Sequence, residues 1–291
     1  MDARMDPLTR IESSLADAVL SAEAAGAPPR LAAALRHAVF PKGGRIRPRL
    51  TLAVAAACGD DRPGLSSAAA AAIELLHCAS LVHDDLPCFD NAAMRRGKPS
   101  VHRAYGEPLA VLAGDALIVL AFQTLARAAP AAPERLGPLM IAVGDGVGVP
   151  FGIVAGQAWE CEPRADLSEY QRQKTGSLFA AATVAGAAAC GVAEAEAWRL
   201  LGDRLGEAYQ VADDLRDAVE DAATLGKPVG VDQALGRPSA VAEFGLVGAV
   251  ARLRALSRDA VESIPECRGQ AMLRGMILQE AGRLLPQKLA A

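Results

Sequence analysis

Apolar residues recur every three to four positions along nearly the whole chain, and prolines fall mainly between those stretches, as at Pro28-Pro29, Pro63, Pro130, Pro133, Pro150, Pro163, Pro228 and Pro265. A period near 3.6 with proline punctuation predicts helices rather than strands. They are expected near 9–24, 30–39, 47–58, 65–86, 108–129, 135–147, 151–160, 168–191, 195–220, 238–262 and 268–284. No glycine–serine linker and no fixed-period repeat divides them, so the expected architecture is all-α, one large helical bundle forming a single domain over residues 1–291. Composition sharpens this: 52% of residues are apolar, many of them alanine, and only 4% are aromatic, so helix formers dominate. Two stretches, 108–126 and 177–193, resemble membrane spans. Asp115 lies in the first, and the second is mostly Ala, Gly and Thr, so both are expected to be buried helices, with no membrane span.

A net charge of −4 with scattered Lys and Arg and no basic stripe argues against a nucleic-acid partner. Any anionic ligand must meet a local basic cluster. Six cysteines, Cys58, Cys78, Cys88, Cys161, Cys190 and Cys267, lack metal-ligand spacing and read as free thiols of a reducing compartment. The first ten residues are polar, with no apolar signal core, and a cytoplasmic location is expected.

Against this apolar background stand two aspartate clusters, 129 positions apart: Asp84-Asp85-Leu86-Pro87-Cys88-Phe89-Asp90, and Asp213-Asp214-Leu215-Arg216-Asp217. Asp84 and Asp85 close a helix that Pro87 disturbs, whereas Asp213 and Asp217, four apart, share one helix face. Like charges at that spacing repel by a few tenths of a kcal/mol unless a cation intervenes. The flanks, 78–82 and most of 205–212, are apolar, and carboxylates emerging from a core are expensive without partners. Mg²⁺ is usually held by one or two carboxylates plus substrate phosphates, so two such clusters suit a metal-bound diphosphate.

A diphosphate also needs cationic donors. Arg95-Arg96 follows the first cluster, Lys174-Thr175-Gly176 lies between the two, and Gly226-Lys227 follows the second. His77 sits two turns before Asp84 on the same face. A histidine-based phosphohydrolase centre is a competing reading of His83-Asp84-Asp85, but the chain has four histidines in all, too few for such a site.

These motifs resemble the trans-type isoprenyl diphosphate synthases, particularly bacterial geranylgeranyl diphosphate synthases, over most of the chain. Leu81 to Asn91 with Arg95-Arg96-Gly97-Lys98-Pro99 is similar to the family's first aspartate-rich motif, and Tyr209-Gln210 to Asp217 to its second. Gly43-Gly44-Arg45-Ile46-Arg47-Pro48, Gly156-Gln157, Lys174-Thr175 and Gly226-Lys227 occupy its other signature places. The resemblance implies the isoprenoid synthase type I fold, its aspartate motifs facing each other across a deep central cavity, usually in a homodimer. Asp84, Asp90 and Asp213 would hold Mg²⁺, three ions per site, on the diphosphate of an allylic substrate (dimethylallyl, geranyl or farnesyl), with Asp85, Asp214 and Asp217 in support. Arg95, Lys174 and Lys227 would neutralise that diphosphate. Arg47, His77 and Arg96 would hold isopentenyl diphosphate, and Thr175 and Gln210 would also contact substrate. The implied reaction is ionisation, condensation and elimination.

The chain departs from the family at named places. Gly44 stands at the usual lysine of the isopentenyl diphosphate site, with Lys42 two residues upstream as a substitute. Arg237 stands for a lysine, Ser239-Ala240 for Thr-Tyr, and Glu160 for the aspartate that often follows Gly-Gln. Family members set product length with bulky residues four or five positions before the first aspartate. Here those are Ser80 and Ala79, with Leu76 a turn deeper, so a geranylgeranyl product is expected and farnesyl is the nearer rival. A terpene cyclase and a non-catalytic partner subunit are further alternatives. The second motif keeps three aspartates where cyclases mix Asn, Ser or Thr with Glu, and partner subunits often lose a motif that this chain retains.

Overall fold

A computed structural model describes residues 5–40, 43–163, 169–170, 172–219, 239–285 and 289. It is helical nearly throughout: α1 (Pro7–Leu20), α2 (Pro29–Val39), α3 (Ile46–Cys58), α4 (Pro63–Asp84), α5 (Val101–Tyr105), α6 (Glu107–Ala128), α7 (Leu136–Val147), α8 (Ile153–Ala158), α9 (Ser177–Ala189), α10 (Arg199–Val219), α11 (Ala240–Glu262) and α12 (Gln270–Leu284). The expected all-α class holds, and most predicted helices lie within a few residues of their observed bounds. Two elements are absent from the sequence reading: the short α5, and an antiparallel hairpin pairing β1 (Met94–Arg95) with β2 (Lys98–Pro99). Two-residue strands are too short to show alternation. Arg96 (φ 50°) and Gly97 (φ 76°) make the turn, the pair of left-handed residues that a two-residue hairpin connection requires. Within the stretch 168–191 expected as one helix, Arg172–Gly176 form a π-helical turn ahead of α9.

Proline and side-chain caps set the helix starts. Pro7, Pro29 and Pro63 stand in first turns, where a missing N–H costs nothing. Asp6 accepts the Thr9 amide at 3.1 Å, and Ser239 accepts that of Ala242 at 3.2 Å.

The described chain falls into two compact units, Met1–Gly144 with Val184–Ala195, and Asp145–Thr183 with Glu196–Ala291. In the first, α4 packs along α6 and α3. Ala68 to Ala72, all buried, let helix backbones approach, and the α6 stripe Ala110, Ala113, Leu117, Ala121 and Leu125 completes the seam. In the second unit, α10 packs along α11 through Ala208, Val211, Ala212, Leu215, Ala249, Leu253 and Leu256.

The helices Pro63–Asp84 and Glu107–Ala131 are long and apolar enough to cross a membrane. The first is mostly buried inside its own unit, as a core helix is; the second leaves Val111, Leu112 and Val119 exposed. The stretch 177–193 is cut at the end of α9, and most of its residues are buried.

Arg10 of α1 ties the start of α4 in place. It is 4% exposed and donates to Ser67 Oγ (3.0 Å), Asp60 Oδ2 (2.9 Å), the Pro63 carbonyl (2.9 Å) and Ser66 Oγ (2.8 Å). Removing one member of such a pair strands the other charge. Arg10→Ala should therefore lower the unfolding free energy by about 3 kcal/mol in urea titration, against less than about 0.5 kcal/mol for an exposed arginine such as Arg127.

Candidate active site

The first aspartate motif begins where α4 ends. Asp84 is the last helical residue and Asp85 the cap, and the chain then folds back so that the Asp90 amide donates to the Asp84 carbonyl at 3.0 Å. That turn places Asp84, half-buried, and Asp90, exposed, at one end of the helix. Asp85 points elsewhere: it is 2% exposed and takes a two-pronged contact from Arg95, with Nε 3.0 Å from Oδ1. Burial pushes the Asp85 carboxyl above its ordinary range, and Arg95 pulls it back only in part. Burial also works against the Arg95 charge, but Asp85, Asp84 and Asp90 outweigh it and raise the guanidinium further.

His83 turns away from the aspartates onto α6. Its Nε2 lies 3.3 Å from the Val111 carbonyl and 3.7 Å from Asp115, and its ring occupies the space where a Cβ on Gly114 would stand, 2.0 Å from Nε2. Only glycine allows that approach.

A second cluster in the same unit is basic. Arg45, 2% exposed, caps the start of α3 in a left-handed conformation (φ 50°) and donates to Glu74 Oε1 (2.5 Å), Glu12 Oε1 (3.0 Å) and the Val39 carbonyl (2.9 Å). Arg96, on the hairpin turn, brings Nη2 to 3.9 Å from Glu74 Oε1, while its buried Nη1 has no hydrogen-bond partner among the described residues. His77 lies among these arginines, and burial first, then Arg47, Arg96, Arg95 and Arg45, hold its imidazole well below its ordinary range. Cys78 is inert, pushed up to about 12 by burial and Glu74.

The second unit carries the other motif. On α10, Asp213 is met by Arg216 Nη2 at 3.1 Å. Asp214 is 7% exposed and accepts from Gln210 Nε2 (3.0 Å) and from the Ala240 amide (2.7 Å), so it anchors the first turn of α11. Thr175 Oγ1 donates to Gln210 Oε1 at 3.1 Å, joining the π-helical turn to that network. Such turns are frequent at functional sites. Lys174, on the same turn, reaches Glu160 Oε1 at 2.6 Å, and Tyr170 and Gln157 donate to the same carboxylate at 2.5 and 2.7 Å.

Of the residues singled out in the sequence, the fold gathers Arg47, His77 and Arg96 in one cluster and Lys174, Thr175, Gln210 and Asp214 in the second unit. Lys42 and Lys227, with Arg237, lie outside the described residues. Ala79 and Leu76 are each 1% exposed, whereas Ser80 is half-buried, its Oγ donating to the His77 carbonyl at 2.8 Å. Sequence reading missed Glu74 and the pairing of Glu160 with Lys174. A lone acid in the apolar run 65–76 was the available signal for Glu74; nothing in the spacing tied Glu160 to Lys174, fourteen residues on.

A family model described as polyprenyl synthetase matches residues 28–271. The chain is 57% identical over 282 residues to a geranylgeranyl diphosphate synthase of Cereibacter sphaeroides, covering 97% of this chain and 98% of that one. It is 53% identical over 277 residues to a geranylgeranyl diphosphate synthase of Rhodobacter capsulatus, covering 95% of each. Among solved structures, a geranyltransferase of Helicobacter pylori complexed with magnesium and isoprenyl diphosphate aligns with a TM-score of 0.78 at 27% identity, covering 97% of this chain and 100% of that one.

With its charge state disfavoured by burial and four arginines, His77 is a neutral imidazole near pH 7. An NMR titration should find its ring signals unchanged from pH 8 down to about 6, where an unperturbed histidine with a pKa of about 6.5 is mostly protonated.

Proposed function

The chain belongs to the polyprenyl synthetase family and is a trans-prenyltransferase, and we propose that it condenses isopentenyl diphosphate with allylic diphosphates to give geranylgeranyl diphosphate. The observation that carries the product is the small pair Ala79-Ser80 before Asp84, together with the 57% identity to a geranylgeranyl diphosphate synthase. We take 1–291 as one catalytic domain, a reading supported by the family match running through both compact units.

We assign Asp84, Asp90 and Asp213 to Mg²⁺. Carboxylate oxygens are hard donors of the kind this ion takes, and the turn that joins the Asp90 amide to the Asp84 carbonyl supports a shared role for those two. When bound, three Mg²⁺ ions would supply positive charge to the departing diphosphate. Arg95, Lys174 and Lys227 are the cations proposed for that same diphosphate, with Thr175 and Gln210 against the substrate and Asp85, Asp214 and Asp217 holding the frame. For Asp85 and Asp214 the frame role is supported by their burial and by their bonds to Arg95 and to the start of α11. Stabilising the leaving group is the main catalytic effect, because it lets the allylic C1–O bond ionise. The double bond of isopentenyl diphosphate then attacks, and the proton leaves to the released diphosphate. Water must be kept from the cation, which it would quench.

Arg47, His77 and Arg96 are assigned to isopentenyl diphosphate, with Lys42 in place of the family lysine. A neutral His77 serves as a hydrogen-bond partner, leaving the charge to the arginines. The exposed apolar residues Val111, Leu112 and Val119 of α6 support a homodimer. Six free cysteines suit the cytoplasm.

Incubating the purified protein with Mg²⁺, labelled isopentenyl diphosphate and each allylic primer should yield geranylgeraniol after dephosphorylation; farnesol alone would overturn the product assignment. Ala79→Phe should shift the product to farnesyl length, at a stability loss of about 1–3 kcal/mol for overpacking a buried position. Gly44 is exposed, and among the described residues a Cβ there meets nothing closer than Ile46 at 3.4 Å. Gly44→Lys should therefore be accommodated and lower the KM for isopentenyl diphosphate roughly threefold to tenfold, read by initial rates at saturating allylic primer.

A further inference from the structure

We propose that Gly43 is a positioning residue for isopentenyl diphosphate, acting by leaving room for the Arg96 guanidinium. The inference rests on the reading that Arg96 holds that diphosphate, and it adds what fixes Arg96 in place.

Arg96 sits where an arginine is poorly suited. Its φ of 50° is left-handed, which costs a residue with a Cβ roughly 1–2 kcal/mol, and hairpin turns of this kind favour Asn or Gly. The side chain is nonetheless well enclosed, only 20% exposed. Glu74 faces it at 3.9 Å, and it reaches the Cys78 thiol. Gly43 covers one face of the guanidinium. A Cβ built on Gly43 would lie 2.6 Å from Arg96 Cζ, 2.7 Å from Nη2 and 2.9 Å from Nη1, all inside van der Waals contact, so the guanidinium occupies the space that a side chain at position 43 would take. Enclosed in this way, Arg96 keeps one buried donor, Nη1, without a hydrogen-bond partner among the described residues. A buried donor left unmet is unfavourable unless an acceptor arrives, and a diphosphate oxygen is such an acceptor.

The chain's own departure at Gly44 raises the demand on Arg96. With no lysine at position 44, a larger share of the charge facing the diphosphate falls to the arginines, and an arginine held in one orientation binds with less entropy loss than one that must be ordered.

The perturbation can be made without changing any charge. The φ of Gly43 is not left-handed, so alanine can take up the same backbone. The atoms it would strike are the far end of a flexible side chain, so Arg96 gives way and the fold is kept. Gly43→Ala should raise the KM for isopentenyl diphosphate about tenfold, with kcat and the allylic KM within about twofold of wild type and an unchanged melting temperature. In the Arg96→Ala background, Gly43→Ala should raise that KM no further, since the residue it acts through is gone.

Three results would overturn the inference: an isopentenyl diphosphate KM within twofold of wild type, an equal rise in both KM values, or additive effects in the double variant. If Gly43→Ala lowers the melting temperature, the double-variant comparison still decides, because a purely structural defect would add to the Arg96→Ala effect. A wild-type protein that fails to consume isopentenyl diphosphate would remove the proposed function itself. Normal wild-type turnover with an indifferent Gly43→Ala removes this inference alone.

Discussion

The buried ion pair between Arg45 and Glu74 is the constraint from which the basic cluster is built. One guanidinium, held in a left-handed cap, binds the middle of α4 through Glu74, α1 through Glu12 and the end of α2 through the Val39 carbonyl. Pairs of this kind contribute little net stability compared with apolar packing, yet breaking them strands a charge in low dielectric. Their use here is geometric. With Arg45 fixed, the loop at Gly43 and the following turn of α3, which carries Arg47, are placed against α4, and the hairpin can set Arg96 on Glu74.

The same device recurs at other charged groups of the described chain. Asp85 is met by Arg95, Lys174 by Glu160, Asp213 by Arg216, and Asp214 by Gln210 and a helix N-terminus. Each unit thus carries side chains of both signs ordered against one another before any ligand arrives. In the function proposed above, an incoming diphosphate with its cations would exchange one set of charge-assisted bonds for another, and bare charge need not be stripped of water on a flexible side chain. Preorganisation of this sort is how electrostatic catalysis avoids reorganising its surroundings at the moment of reaction.

Alanine and glycine have a matching role. Ala68 to Ala72 bring α4 close to its neighbours, Gly114 lets α6 run under the His83 ring, and Ala79 removes bulk one turn before the aspartates. In an aromatic-poor chain, the size of a few side chains decides how near two helices lie, and hence how much space they leave.

The order of residues along the chain was enough for the helical class, most helix positions and both aspartate motifs, because these depend on short-range pattern: a 3.6-residue period, proline breaks, and acids four apart on one face. It also placed Asp84 at a helix end, since Pro87 follows within one turn. Which charges meet depends on how the helices pack. Arg10 reaches Asp60, Ser66 and Ser67 fifty or more residues away, Glu74 gathers Arg45 and Arg96 from different segments, and Glu160 meets Lys174 across a turn of the chain. The hairpin that carries Arg96 was equally hidden, for two-residue strands show no period. Local pattern records how the backbone coils, whereas a charge pair forms between side chains that the coiling brings together from distant positions, and no spacing in the sequence encodes that distance.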